Sequence, residues 1–185
     1  MKMFKSAVIA TAFALVAAAP AAAYAPQVSL GELGARAQVA AIAPLQMQFF
    51  CASNPQECRT GGKSQVRMSS DLLAVLQQVN SHVNRTMVPR ADGTDRWTVG
   101  ATAGDCEDYV LNKRRMLIRN GVSAGSLRIA YTKTRAGAPH AVLVVRTSQG
   151  DLVLDNLSNT VKTLAQSGYR IRSMSSSDPT RWTAG

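Results

Sequence analysis

Apolar residues recur at Leu72, Leu76, Val79, Val83 and Met87, in steps of four, three, four and four that place them along one face of a helix. Ser70 or Asp71 caps the start of that helix, and its apolar face must be buried. His82 lies within it; a lone histidine on a helix is far more often a surface residue than a ligand, so it is given no role. A second helix is predicted from Cys106 to Arg119. Gly104 interrupts what precedes, Asp105 is a suitable N-cap, and Asn120-Gly121 supplies the C-terminal stop. Downstream come strand signals at Leu127 to Thr132, His140 to Arg146, Leu152 to Leu154 and Tyr169 to Ser173, divided by Gly137, Pro139, Ser148-Gln149-Gly150 and Gly168. The second of these is apolar from Ala141 to Val145 without a break, so both of its faces are covered and it is central in its sheet.

The upstream segments are less informative. Pro44 to Phe50 is predicted to form a short helix, and Thr60 to Ser64 a flexible connection. Pro89 to Ala103 is a loop that delivers Trp97 either to a cleft or to the core. Tyr24 to Ala43 is an irregular or partly helical lead-in. Ahead of it, Lys2 and Lys5 precede the apolar run Ala7 to Ala19, then Pro20 and the small-residue site Ala21-Ala22-Ala23. This is the pattern of an export signal cleaved after Ala23. The expected organisation is a signal over 1–23 and one domain over 24–185, located in the periplasm.

Charge narrows the partners. The formal charge is +10, and removing Lys2 and Lys5 takes it to +8. A surface this basic attracts anionic polymer, which in an envelope means lipid headgroups, lipopolysaccharide or acidic wall polymer. Nucleic acid is disfavoured by the export signal and by the small stock of stacking residues, 4 Phe and 4 Tyr.

The 3 cysteines divide as a pair and a single. Cys51 and Cys58 flank a turn at Asn54-Pro55, and an oxidising compartment lets them bond. Closing so short a loop stabilises by about 2.5 kcal/mol in the chain-entropy model. Cys106 is the odd thiol. In the first turn of its helix it meets unpaired N–H groups and the positive end of the helix dipole, both of which favour a thiolate. A thiol still needs a base to take its proton and an acid or amide to orient that base. His140 and Asp155 qualify by parity. Whether the hairpin loop holds two residues, setting Asp155 opposite Val144, or four, setting it opposite Val142, both side chains emerge on one sheet face. The four-residue loop makes them diagonal neighbours.

The run GDCEDYVLNKRRMLIRNGV, followed by SLRIAY and PHAVLVVRTSQGDLVLDNL, resembles the bacterial transglutaminase-like cysteine peptidases of the papain and transglutaminase superfamily. The similarity extends from about Phe50 to Trp182 and includes the CASNPQEC loop and the VNSHVNR helix. It implies an α+β fold in which a catalytic helix packs on an antiparallel sheet. It also implies a hydrolase with Cys106 as nucleophile, His140 as general base and Asp155 as orienter. The best understood members of that family are periplasmic, calcium-dependent proteases that clip adhesins from the cell surface, so the resemblance implies a protein substrate in the envelope and a regulatory membrane protein as partner. Acidic residues beside the nucleophile hold calcium in the family, and the matching positions are Asp105 and Glu107. Carboxylates suit calcium, and they equally complement a helix N-terminus with no metal.

Three functions stay open at the level of sequence. One is an exported endopeptidase working through an acyl-enzyme. A second is an acyltransferase, or an amidase of cell-wall peptides, with the same triad. The third is a non-enzymatic protein that binds an envelope polymer.

Overall fold

The computed structural model describes residues 39–91, 93 and 95–185; the segment expected to be an export signal and most of the lead-in lie outside the described residues. Helix α1 spans Leu45–Ser53, α2 Ser70–Thr86, α3 Cys106–Arg119 and α4 Leu164–Ser167. The principal strands are β4 (Leu127–Lys133), β5 (Pro139–Thr147), β6 (Gly150–Asp155) and β7 (Ser158–Thr163). Short strands β1 (Ala40–Ala41), β8 (Ser173–Ser175) and β9 (Trp182–Ala184) complete one sheet in the order β1-β9-β8-β4-β5-β6-β7, with antiparallel neighbours throughout, while β2 (Val88–Pro89) and β3 (Ala103–Gly104) pair in parallel as a separate two-stranded sheet. The α+β expectation holds. Among the described residues no helix is long and apolar enough to cross a membrane.

Two apolar layers enclose the sheet. Leu127, Ile129, Ala141, Leu143, Val145, Leu152 and Leu154 pack against the helices, where they meet Leu76, Val79 and Val83 of α2 and Tyr109, Val110 and Leu117 of α3. Ala130, Val142, Val144 and Val153 face the other way, beneath Leu164, Tyr169, Ile171 and Met174. Strand β5 supplies both layers, which is why its apolar run has no alternation. Burying a side chain such as Leu76 or Leu143 completely stabilises the fold by about 1.5 to 3 kcal/mol. Trp97 belongs to this core, its ring edge-on to Tyr131, which in turn leans on Trp182. His82 is exposed on α2.

Several local readings are corrected. Ser69, not Ser70 or Asp71, caps α2, accepting from the Leu72 N–H. The β5–β6 loop holds two residues, Ser148 and Gln149, between the paired Thr147 and Gly150. Continued one step past the Leu143–Leu154 pair, that ladder brings Asp155 opposite Val142, the register expected of a longer loop. Tyr169 to Ser173 is not a strand. Thr163 and Gln166 form a capping box that starts α4, and Gly168 ends it in the left-handed region at φ 73°, so that the chain turns before β8 begins at Ser173. Strand β7 was invisible in the pattern, because Ser158–Thr163 is a largely polar edge strand.

Cys51 and Cys58 are disulfide-bonded, with Cα atoms 5.5 Å apart. Glu57, inside their loop, forms an ion pair with Arg115 at 2.8 Å and accepts from Arg114 through its carbonyl, which ties the loop to α3.

Candidate active site

Asp155 ends β6 at a turn that is held from three sides. Its Oδ1 accepts the Leu157 N–H at 3.0 Å, an Asx-type contact that closes the turn on itself. From α2, Asn84 donates to the Asp155 carbonyl at 2.9 Å, and the fully buried Asn80 donates to the Ser158 carbonyl at 2.8 Å. The carboxylate is thereby fixed where β5 begins, and His140 Nε2 meets its Oδ1 at 2.8 Å. Both residues are buried. Burial opposes the carboxylate's charge, but hydrogen bonds from His140, Tyr169 and the Leu157 N–H outweigh it and hold Asp155 below the usual carboxylate range. An ionised carboxylate only accepts, so Nε2 carries a proton, and in the neutral imidazole Nδ1 is the basic nitrogen.

Sequence reasoning missed Tyr169. Its hydroxyl donates to the second carboxylate oxygen, Oδ2, at 2.6 Å, and its ring lies 5.7 Å from the imidazole between centroids. Burial and the adjacent carboxylate push the phenol pKa up, so Tyr169 remains a donor. The signal that could have found it is the Thr-x-x-Gln capping box followed by Gly168, which announces a short helix and a sharp exit.

Cys106 opens α3, in keeping with the predicted boundary, although Asp105 at the N-cap makes no capping hydrogen bond with its side chain. The half-buried sulfur receives the N–H of Ala141, the residue next to His140. Its own proton goes to Glu107 Oε2 at 2.8 Å rather than to the imidazole. Tyr131, wedged between Trp97 and Trp182, also hydrogen-bonds Glu107. The thiol is consequently pushed well above its ordinary range, first by burial, then by the charge and hydrogen bond of Glu107, with a smaller push from Asp105. Asp108 has a different task. Buried, it accepts the Thr98 N–H at 2.7 Å and packs so closely on Gly104 that a Cβ there would collide with its Oδ2. Gly104 is required by that contact as much as by the helix start.

The structure therefore joins His140 to Asp155 and sets the Cys106 sulfur one residue along β5 from that pair. Residues 37–184 match the model of the bacterial transglutaminase-like cysteine proteinases (BTLCP). The chain belongs to this family. In fold it is also similar to LapG of Legionella pneumophila. Calcium-bound LapG aligns with a TM-score of 0.52 at 24% identity, over 56% of this chain and 64% of that one. Another LapG structure gives 0.50 at 25% identity, over 55% and 63%. The chain thus spans less than two thirds of LapG. Among curated proteins nothing matches the sequence.

For calcium, the donor chemistry at this site fits only in part. Asp105 and Glu107 are hard oxygen donors on either side of a thiol, and both raise its pKa, so negative charge accumulates where a cation would be favoured. Among the described residues no group of three or more His, Cys, Asp and Glu side chains gathers to form a fuller ligand set. Beneath the site, Lys113 of α3 is 1% exposed, with its ammonium 5.8 Å from the centre of the Tyr109 ring. Burial lowers its pKa to about 7, partly offset by the charge of Asp155.

Proposed function

We propose that this protein is an exported cysteine endopeptidase that hydrolyses peptide bonds of an envelope or surface protein through an acyl-enzyme on Cys106. The observation that carries this reading is the buried 2.8 Å contact between His140 Nε2 and Asp155 Oδ1, one residue from the Ala141 N–H that touches the sulfur. Asp155 holds the proton on Nε2 and leaves Nδ1 as the base. The thiol exchanges its contact with Glu107 for Nδ1 and gives up its proton. The resulting sulfur anion attacks the peptide carbonyl, and the oxyanion is held by the Cys106 backbone N–H together with a second donor. Collapse breaks the C–N bond as imidazolium returns the proton to the departing amine. Water, deprotonated by the same nitrogen, then hydrolyses the thioester.

Asp105 and Glu107 would hold calcium, whose charge would cancel the field by which these carboxylates oppose thiolate formation. Export to the periplasm, an adhesin-like substrate and a regulatory membrane partner follow from the family resemblance and belong to the same proposal.

The test is chemical. Iodoacetamide at near-neutral pH in the presence of calcium should label Cys106 rapidly, and about a hundredfold more slowly after His140→Ala. Peptide hydrolysis should vanish in Cys106→Ala. Equal labelling of wild type and His140→Ala, with no Cys106-dependent cleavage of any protein or peptide, would rule the reading out.

A further inference from the structure

On the sheet face away from α3, a cavity of about 380 Å³ opens beside Asp155 and Tyr169. Its remaining walls come from the β4–β5 turn, through Arg135, and from β7, through Thr160 and Lys162. Register explains the placement. Val153 pairs with Lys162 and Asp155 with Ser158, so Lys162 shares the sheet face of Val153, which packs in the layer opposite the helices. The cavity is thus adjacent to the His140–Asp155–Tyr169 group but does not include Cys106.

Charge in this cavity is unbalanced. Neither Arg135 nor Lys162 has an ion-pair partner among the described residues. The acid in the wall, Asp155, is ionised, but its two oxygens receive His140, the Leu157 N–H and the Tyr169 hydroxyl and pair with neither cation, so the two basic side chains outnumber it. Arg135 is near enough to Tyr169 for its charge to oppose the rise in the phenol's pKa. A concave wall in which two unpaired cations outnumber the single carboxylate of Asp155 suits a further carboxylate, which a guanidinium can grip with two parallel hydrogen bonds and an ammonium attracts as a point charge.

We propose that this cavity binds an Asp or Glu side chain of the peptide substrate, on the leaving-group side of the scissile bond, through Arg135 and Lys162. The proposal rests on the peptidase reading above. In that reaction His140 hands its proton to the departing amine, so the leaving half of the substrate passes the imidazole. Asp155, bonded to that imidazole, and Tyr169, bonded to Asp155, both line the cavity.

Binding can be read without turnover. The full-length Cys106→Ala protein, ¹⁵N-labelled, is titrated with an acetylated, amidated hexapeptide that is neutral except for one Glu, with its Gln counterpart, and with sodium acetate. The Glu peptide should bind about tenfold more tightly than the Gln peptide, a difference two partly exposed charges can supply, and should shift the amides of Arg135, Thr160 and Lys162. The preference should shrink at high salt and disappear in Arg135→Ala, Lys162→Ala, or in Arg135→Gln, Lys162→Gln should the alanine pair prove unstable. Equal binding of the Glu and Gln peptides, shifts confined to another surface, or acetate binding as tightly as the Glu peptide would each overturn the subsite. Those outcomes leave the peptidase reading standing, since labelling and cleavage at Cys106 decide that separately.

Discussion

Tyr169 donates to Asp155 Oδ2 at 2.6 Å while its ring lies against His140, so one side chain holds both the charge and the position of the pair. Asp155 in turn accepts His140 Nε2 on its other oxygen. Neither oxygen of the carboxylate is free to rotate away.

Tyr169→Phe keeps the ring and removes the donor. Because Tyr169 is only half-buried, a loss of about 1 kcal/mol is expected at pH 7, somewhat less than a fully buried hydrogen bond to a charged group contributes. The sign of the pH dependence follows from Asp155, whose folded pKa is depressed. Its contribution is present above the ordinary carboxylate value and is lost as pH falls through the folded value. Urea melts should therefore separate the two proteins at pH 7 and bring them together near pH 2. The acid limb of Cys106 alkylation should also move up in pH, which loss of packing alone would not cause.

Glu107→Gln should lower the thiol pKa, because Glu107 raises it through both charge and hydrogen bond. In excess chelator at pH 8, the variant should label with iodoacetamide faster than wild type. Added calcium should accelerate wild type and leave Asp105→Ala, Glu107→Ala unchanged. Slower labelling of Glu107→Gln in chelator would mean that Glu107 assists ionisation rather than opposing it.

Lys113→Met tests the buried ammonium. The folded pKa of Lys113 is about 7, against about 10.4 in an unfolded chain. Below pH 7 both states are protonated and the whole penalty for burying the charge is present. Between these values the unfolded chain binds more protons, so stability attributable to Lys113 rises with pH. The methionine variant should be more stable than wild type at pH 6, with the difference shrinking by pH 10. A lower melting temperature at both pH values would show that the ammonium is a net stabiliser through Asp155 and Tyr109.

Cys51→Ser, Cys58→Ser should cost about 2.5 kcal/mol in denaturant unfolding, the chain-entropy value for so short a loop. Since Glu57 within the loop holds Arg114 and Arg115 of α3, thermal melts of the variant should also show earlier loss of α3 ellipticity. Identical unfolding of wild type with and without reductant would remove the disulfide from the account of stability.

The sequence alone determined the elements whose residues carry a strong local signal. Helices α2 and α3 were legible from apolar spacing and stop residues, β5 from an unbroken apolar run, and the shared face of His140 and Asp155 from strand parity, because each depends on neighbours a few residues apart. Only the tertiary structure decided what depends on distant segments. Asn80 and Asn84 look like ordinary polar positions on α2 until the Asp155 turn is folded against them. Glu107 looks like a helix-dipole complement until Tyr131 and the Cys106 thiol converge on it. Tyr169 carries no mark of its partner, since its hydroxyl meets Asp155 only after Gly168 has turned the chain back over the sheet. A local pattern reports whether a side chain is buried; which polar atom it meets there is set by how separate segments pack.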